Sequence, residues 1–444
     1  MKPFRPPAPT ADSFRLTRAR VPSALLGGGP TSTRSDGLVD CDIFVIGGRI
    51  DAIAAPGSRN DGPSESLDMA KGLVLPRFVD VHTHLDKGFI WDRSPNPDGT
   101  FWGALSTTMT DREARWSAED VRRRMDFALR SAFAHGTGAI RTHLDSLGKQ
   151  AAISWPLFAE MRAEWASRIT LQAVSIFASD MAADDPEQFA ALVAHIVKAG
   201  GILGGVTFQG RAPDAKLDLA LARIFDAATA HGLDLDFHVD ESDSPDARTL
   251  ERIAEVAIAR RFKGRIVAGH CCSLALASDD DRRRIIEKVG EAGIAVVSLP
   301  MCNMYLQDRK LGRTPRWRGV APLHELADAG IPALVASDNT RDPFYAYGDL
   351  DMLEVFREAT RILQLDHSAR DWTALLGPAP AAVMGVADAV GTIAPGRPAD
   401  LVLTGARTLN ELVSRPQSDR VVLVRGHAID TTPPDYRELD DLYA

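Results

Sequence analysis

The chain has 444 residues, enough for one barrel of roughly 250 to 300 residues plus a smaller domain, or for two or three ordinary domains. Hydrophobic residues make up 45% and charged residues 25%, which is typical of globular proteins and excludes collagen-like, disordered and membrane-spanning classes. A net charge of -9 without a basic patch argues against nucleic acid or an anionic membrane as a partner.

Segments that direct secretion are not apparent. Residues 1–13 are rich in proline and contain no apolar stretch of about 7 to 15 residues, as a secretory signal requires. The cysteines are Cys41, Cys271, Cys272 and Cys302. Their spacing fits neither a disulfide framework nor a zinc ribbon, so we expect a reduced, cytoplasmic protein.

The two ends of the chain have the pattern of small β-hairpins. Between residues 14 and 53, short apolar runs are separated by glycine-rich turns at positions 27–30 and 47–48. Strand-like runs at residues 399–403 and 421–424 follow the same pattern. We predict a composite β domain, a small β-sandwich formed by both termini, from residues 1–72 and 386–444.

The middle of the chain alternates short apolar runs with longer helical stretches, which is the pattern of an α/β protein with a parallel sheet. Eight runs are predicted as strands: residues 73–84, 139–145, 169–177, 202–208, 233–240, 265–271, 295–299 and 333–338. Helical spacing is clearest at residues 118–134, 218–231, 248–260 and 281–292. Eight units predict a catalytic (β/α)8 TIM barrel over residues 73–385. A doubly wound sheet is the alternative, but the GxGxxG fingerprint is missing.

Titratable side chains collect at the predicted carboxyl ends of these strands, where such a barrel has its active site. His82 and His84 end the first strand and point to the same face, so both imidazoles can reach one ion. His238, His270 and Asp338 end the fifth, sixth and eighth strands. Three histidines and one aspartate around a divalent metal leave a position for water, which becomes hydroxide near neutral pH.

Two residues near these strand ends could assist hydrolysis. Glu241 lies three residues after His238, off the ligand position, where it could carry protons between water and a leaving group. His270, if it is not a ligand, could orient the nucleophile or stabilise charge that forms during attack. The sequence therefore predicts a metal-dependent hydrolase.

Residues 74–87, VLPRFVDVHTHLDK, resemble the first-strand signature of the amidohydrolase superfamily, in particular its cytosine deaminase-like branch. Further matches follow in the same order: RTHLD at 141–145, HVDE at 238–241, GH at 269–270, NMYLQDR at 303–309 and SDNTRDPFY at 337–345. The resemblance covers about residues 73–363, with a weaker echo in the terminal segments.

The resemblance implies a role for each of these residues. It implies one zinc or iron ion per site, held by His82, His84, His238 and Asp338. It also implies that Glu241 is the proton shuttle and that His270 assists the bound water, with Asp338 taking part in catalysis. The predicted third and fourth strands lack the lysine that is carboxylated in binuclear relatives, which favours a single metal.

The substrate positions depart from cytosine deaminase. The glutamine that reads the pyrimidine in that enzyme falls here near Ala178 or Ser179. Asn339, where cytosine deaminases have a second aspartate, and Lys87 are more similar to the N-isopropylammelide amidohydrolase type. Phe344 matches an aromatic residue that packs on the substrate ring. We expect Lys87, Asn339 and Phe344 to bind a nitrogen heterocycle other than cytosine.

Several expectations concern the surroundings of the site and the remaining alternatives. His143 and Asp145 could support the metal ligands from behind. Trp102, Trp116 and Trp317 could line the pocket or pack between helices. Hydrolysis of a cyclic amide or N-acyl bond at the same site is the alternative to deamination, and a catalytically inactive barrel is the remote one. We further expect a homo-oligomer that binds a small heterocyclic substrate and neither nucleic acid nor a membrane.

Overall fold

The computed structural model describes residues 4–207 and 212–443. The strands in this part of the chain are β1 (Phe14–Pro22), β2 (Leu38–Ile46), β3 (Arg49–Ala54), β4 (Glu65–Asp68), β5 (Val74–Pro76), β6 (Phe78–Thr83), β7 (Thr137–Asp145), β8 (Thr170–Ile176), β9 (Leu203–Val206), β10 (Leu235–Val239), β11 (Ile266–His270), β12 (Ile294–Ser298), β13 (Ala333–Val335), β14 (Leu401–Leu403), β15 (Val421–Val424) and β16 (His427–Ala428).

The α-helices of the described residues alternate with the central strands. They are α1 (Phe101–Arg115), α2 (Ala118–Ala134), α3 (Gln150–Trp165), α4 (Met181–Asp184), α5 (Pro186–Ala199), α6 (Ala215–His231), α7 (Thr249–Arg260), α8 (Asp279–Glu291), α9 (Pro300–Leu306), α10 (Leu323–Asp328), α11 (Met352–Leu363), α12 (Pro378–Met384), α13 (Leu409–Ser414) and α14 (Asp440–Tyr443). Among the described helices, none is long and apolar enough to cross a bilayer.

Strands β6 to β13 form the predicted barrel. β9 to β13 make a five-stranded parallel sheet, and β6 to β8 make a three-stranded one. Parallel bridges join Ala178 to Val206 at one junction and Thr83 to Asp338 at the other, so the two sheets close into a ring. The TIM-barrel-type α/β fold predicted from the sequence is confirmed.

The predicted strands and helices differ from the observed ones in detail. The run at residues 73–84 is divided into β5, which pairs with β14, and β6, which enters the barrel. The division follows the backbone, because Arg77 N donates to Asp400 O while Phe78 N donates to Gly136 O. Phe208, the end of the predicted fourth strand, lies outside the described residues.

Two helices begin earlier than their apolar spacing predicted, because a preceding side chain caps each of them. The Asp214 carboxylate accepts a hydrogen bond from Leu217 N, and α6 therefore begins at Ala215. The Ser278 hydroxyl accepts from Asp281 N, which gives α8 an acidic first turn. Helix α2 has the predicted bounds.

The chain separates into two compact units. Unit 1 comprises the chain through Asp80 with Arg130–Ala139 and Leu350–Pro434, and unit 2 comprises Val81–Leu129, Ile140–Asp349 and the chain from Asp435 onward. Two four-stranded sheets contain the terminal strands, in the orders β3-β2-β1-β4 and β16-β15-β14-β5. A sandwich of residues 1–72 and 386–444 stays a prediction.

Strand β10 illustrates how the barrel aims polar side chains at its centre. Phe237 stacks on Phe225 of α6, with ring centroids 6.4 Å apart, so this face of the strand packs under the helices. Side chains alternate along a strand, and Asp236 and His238 therefore face the opposite side, inside the barrel. Both are buried, at 0% and 6% exposure.

Candidate active site

Four predicted metal ligands meet at the carboxyl end of the barrel in unit 2. His84 Nε2 lies 3.2 Å from Asp338 Oδ1 and 3.4 Å from His238 Nε2. His82 Nε2 lies 3.6 Å from the same oxygen of Asp338. All four side chains are buried. The structure thus brings together every residue that the sequence suggested as a ligand.

These spacings and the state of the donors fit a divalent metal. A tetrahedral ion with metal–nitrogen bonds of about 2.0 to 2.1 Å separates its ligand atoms by roughly 3.3 Å. Neither carboxylate oxygen of Asp338 has a hydrogen-bond partner among the described residues, although both are buried. Burial lowers the pKa of His84 to about 4, so its imidazole is neutral, the form that binds metal.

The backbone holds two residues of this site, Asp338 and His270, in unusual conformations. Asp338 N donates to His82 O, and Thr83 Oγ1 donates to Asp338 O at 2.8 Å, which ties the ends of two strands together. Asp338 and His270 have positive φ angles of 62° and 69°. Such conformations are strained for residues other than glycine and collect at functional sites.

A glycine makes room for one ligand. A Cβ added at Gly269 would lie 2.9 Å from His82 Cε1, so no larger residue fits there without moving the imidazole. Gly269 pairs with His238 across the β10–β11 ladder, which brings the ends of these two strands beside β6. Gly269 therefore serves the packing around a predicted ligand, directly before His270 in the sequence.

Glu241, the predicted proton shuttle, lies in a small hydrogen-bonded group with His270. Its Oε1 accepts a hydrogen bond from Asn303 Nδ2 at 3.1 Å and lies 3.5 Å from His270 Nδ1. Burial raises the pKa of Glu241 well above its usual value, and the neighbouring Asp338 carboxylate raises it further. A carboxyl group whose pKa is raised in this way can accept and return a proton.

Asn303 is a site residue whose role the sequence analysis did not predict. It is fully buried on α9, and its Nδ2 lies 3.0 Å from His270 Nδ1. With the amide as donor, His270 Nδ1 is the acceptor and Nε2 carries the proton. His270 belongs with His82 and Asp338 to one cluster of possible ligand atoms within 4.8 Å. Asn303 lies in the segment NMYLQDR, which resembles the family. Its partners, Glu241 and His270, become apparent only from the position of α9 after β12.

The predicted substrate residues lie on one side of this cluster. Lys87 is 6% exposed, and its Nζ lies 4.7 Å from the centre of the Phe344 ring. Asn339 Nδ2 donates to Asp342 Oδ2 at 2.6 Å, and Cys302 Sγ lies 3.6 Å from Asn339 Oδ1. Phe344 packs with Ala104, Cys302 and Leu306. Substrate contact by Lys87, Asn339 and Phe344 stays a prediction.

His143, one of the two residues expected behind the ligands, stacks on His82 with ring centroids 3.8 Å apart. Its Nε2 lies 3.9 Å from Asp236 Oδ1, and the other oxygen of Asp236 accepts a hydrogen bond from Arg141 Nη1 at 2.9 Å. His82, His143 and Asp236 therefore form a second possible donor group. Asp145 lies elsewhere, paired with Arg112 at 2.8 Å.

Two of the three tryptophans are placed clearly. Trp116 is 2% exposed and donates through Nε1 to Asp111, so it packs between helices. Trp102 is 63% exposed. Trp317 is half-buried.

A closed α/β barrel with three histidines and an aspartate at its carboxyl end, beside a carboxyl group of raised pKa, defines a metal-dependent hydrolase. The model of the Amidohydrolase family matches residues 118–427. The chain belongs to the amidohydrolase family.

Three relatives place the chain more closely. It is 53% identical to pterin deaminase from Rhizobium rhizogenes over 434 residues, 97% of each chain. It is 27% identical to N-isopropylammelide isopropyl amidohydrolase from a Pseudomonas species, covering 82% of this chain and 86% of that one. 5-Methylcytosine deaminase from Klebsiella pneumoniae has the same fold, with a TM-score of 0.77 at 23% identity over 95% of this chain and 98% of that one.

These comparisons confirm the activity class predicted from the sequence. The chain is an amidohydrolase that acts on carbon–nitrogen bonds, by hydrolytic deamination of a nitrogen heterocycle. The family is metal-dependent, in agreement with the cluster of histidines.

Proposed function

We propose that this chain is a pterin deaminase, which replaces the exocyclic amino group of pterin by oxygen and releases ammonia. The main support for pterin as the substrate is the 53% identity with pterin deaminase from Rhizobium rhizogenes over 97% of each chain. The departures at Ala178, Ser179, Asn339 and Lys87 support it, because they remove the features that would select cytosine.

In this proposal, one zinc or iron ion is held by His82, His84, His238 and Asp338. When bound, such an ion lowers the pKa of a coordinated water molecule from 15.7 to about 7 and so supplies a nucleophile at neutral pH. His143 and Asp236 are left outside the set, because the Arg141 guanidinium already pairs with Asp236.

Glu241 moves the protons that deamination requires. As the oxygen of water attacks the ring carbon that bears the amino group, the C–O bond forms and the electron pair of the ring C=N bond moves to the ring nitrogen. Glu241 takes one proton from the water and gives it to that ring nitrogen, and one proton stays on the attached oxygen. Glu241 takes this proton and gives it to the amino nitrogen, so that the C–N bond breaks with ammonia as the leaving group. Its raised pKa keeps the carboxyl group able to work in both directions.

His270 and Lys87 complete the proposed site. The Nε2–H of His270 can donate to the attacking oxygen, because Asn303 holds the opposite ring nitrogen at 3.0 Å. Lys87 presents an ammonium group beside the Phe344 ring, where it can donate to the oxo or ring-nitrogen acceptors of a heterocycle while Phe344 packs on its face.

The test is ammonia release by the purified, metal-loaded enzyme from a panel of pterin, cytosine, aminotriazines and cyclic ureides. We expect kcat/KM to be highest for pterin and lower for cytosine by as much as about 10⁴-fold, because buried polar groups would be left unpaired. A higher kcat/KM for cytosine, or turnover of a cyclic ureide without ammonia release, would contradict the proposal. The oligomeric state stays a prediction that sedimentation can test.

A further inference from the structure

Arg124 is a fully buried arginine on α2 whose guanidinium group has partners on two sides. Its Nε and Nη2 donate to Asp120 Oδ2, at 3.0 and 2.7 Å. Its Nη1 donates to two backbone carbonyl oxygens, Asp86 O at 2.6 Å and Gly88 O at 3.0 Å. The planar guanidinium is thereby fixed by a charge pair on one edge and holds the main chain with the other.

The two carbonyl groups that Arg124 holds belong to the residues on either side of Lys87. The segment is also fixed at other points. The Asp86 carboxylate accepts hydrogen bonds from Asp145 N at 2.9 Å and Ser154 Oγ at 3.0 Å. These contacts leave the Lys87 backbone little freedom to shift.

The side chain of Lys87 extends from this segment towards the candidate active site. Its Nζ lies 4.7 Å from the centre of the Phe344 ring, and only 6% of the residue is exposed. Burial raises the pKa of both Glu241 and Asp342, and the positive charge of Lys87 offsets part of that rise. A change in the backbone at Lys87 would therefore move a charged group relative to any bound substrate.

We propose that Arg124 is a positioning residue, which acts on substrate binding through Lys87 by holding the carbonyl groups of Asp86 and Gly88. This inference rests on the proposed function for the identity of the substrate and for the contact of Lys87 with it. Without the guanidinium, two buried carbonyl groups lose their donor, and the segment must rearrange to satisfy them. A displacement of about 1 Å at a substrate-binding group can cost about 10²-fold in rate.

A double-mutant cycle tests whether Arg124 acts through Lys87. The variants are Arg124→Met, Lys87→Met and the double variant, each measured for KM, kcat and the dissociation constant of the deaminated product, which is lumazine when the substrate is pterin. We expect Arg124→Met to lower kcat/KM by roughly 10- to 100-fold, mainly through KM, and to weaken lumazine binding similarly. In the Lys87→Met background the same change should cost less than about 2-fold, because its target is absent.

The outcomes that would overturn the inference are defined by the same cycle. Equal fold losses in both backgrounds would mean that Arg124 supports the fold without acting through Lys87. An unchanged KM in Lys87→Met would show that Lys87 does not bind the substrate, so that Arg124 could not act through it. Should Arg124→Met not fold, Arg124→Lys replaces it in the cycle, since a lysine keeps the charge but cannot hold Asp120 and both carbonyl groups at once. We then expect a smaller loss of kcat/KM that is again absent in the Lys87→Met background, and an equal loss in both backgrounds would overturn the inference.

The matched control is Arg122→Met on the same helix. Arg122 pairs with Glu160 and Glu164, and neither contact involves the Lys87 segment. We expect its KM and kcat to equal those of the wild type. The cycle is run with the heterocycle that the wild-type enzyme deaminates best. A wild type that does not deaminate pterin therefore refutes the proposed function and leaves the test of Arg124 intact.

Discussion

Two carboxyl groups at the centre of the site have opposite electrostatic environments. Both are buried, which favours the neutral acid. For Asp338, the surrounding imidazoles outweigh burial, and the pKa of this carboxyl group falls below its usual value. For Glu241, burial and the charge of Asp338 act together and raise the pKa. One carboxylate is thus suited to hold a cation and the other to exchange a proton.

Glu241→Gln should separate these roles. The amide keeps the shape and can still contact Asn303 but cannot exchange a proton, so we expect kcat to fall at least about 10²-fold while metal content stays unchanged. Glu255→Gln, on the outer helix α7, is the control and should retain full activity. Wild-type turnover by metal-replete Glu241→Gln would assign the proton transfer to another group.

At the scale of whole elements, helix α11 is held at its start by an ion pair with the C-terminal region of unit 1. Asp351 caps the helix by accepting a hydrogen bond from Leu353 N at 2.9 Å. The same carboxylate pairs with both terminal nitrogens of Arg420, at 2.8 and 2.6 Å. Burial alone would raise the pKa of Asp351, but the Arg420 charge outweighs it and the pKa is lowered.

Asp351→Asn should therefore destabilise the protein in a pH-dependent way. Removing one member of a buried pair costs about 3 to 5 kcal/mol of unfolding free energy. Because the folded-state pKa lies below the unfolded value of about 3.9, this stabilisation is complete above that pH and is lost as the pH falls through the folded-state pKa. The stability difference between variant and wild type should thus narrow only in strong acid.

Denaturant unfolding between neutral and acid pH measures this difference, with Asp419→Asn as the control. Asp419 is exposed and adjacent to Arg420 in sequence. Its variant should unfold like the wild type throughout. A difference for Asp351→Asn that narrows already near neutral pH, or an equal loss of stability in Asp419→Asn, would show that the ion pair is not its source.

For the molecule as a whole, the sequence was sufficient to predict structure where a local pattern of residue types indicates an element or a site. The eight barrel strands were predicted because apolar runs alternate with helical spacing, and the histidines at their ends marked the face of the barrel. The sequence was not sufficient to predict strand boundaries that depend on backbone pairing between residues far apart in the chain. Nothing local divides residues 73–84 at Arg77, because the division depends on Asp400 and Gly136, which are distant in sequence.

The difference between local patterns and long-range contacts also explains which site residues could be predicted from the sequence. The spacing of His82 and His84 is itself a metal-binding pattern, whereas an asparagine on a helix is not. Asn303 acquires its role only because the barrel brings β10 and β11 beside α9, where its amide reaches Glu241 and His270. Arg124 is similar, because its partners Asp86 and Gly88 are main-chain carbonyl groups that carry no side-chain pattern.

The proposed ligands come from strands that are far apart in sequence, so metal binding should stabilise the whole barrel. An ion that binds only the folded state adds about 4 kcal/mol of unfolding free energy at a concentration 1,000 times its Kd. We expect chelation to lower Tm by several degrees and re-addition of zinc or iron to restore it. Metal analysis should find one ion per chain.

Two of the possible donor groups, the one with His84 and the one with His143, predict different variants to lose the response of Tm to chelation. His84 Nε2 lies beside Asp338 and His238, so His84→Ala should lose the ion and have the same low Tm with or without chelator. His143 belongs only to the group with Asp236, which Arg141 neutralises, so His143→Ala should keep the ion and its response to chelation. Two ions per chain, or full metal content in a His82→Ala and His84→Ala double variant, would refute this ligand set. If His143→Ala loses the metal and His84→Ala retains it, the ion is bound instead by the group of His82, His143 and Asp236.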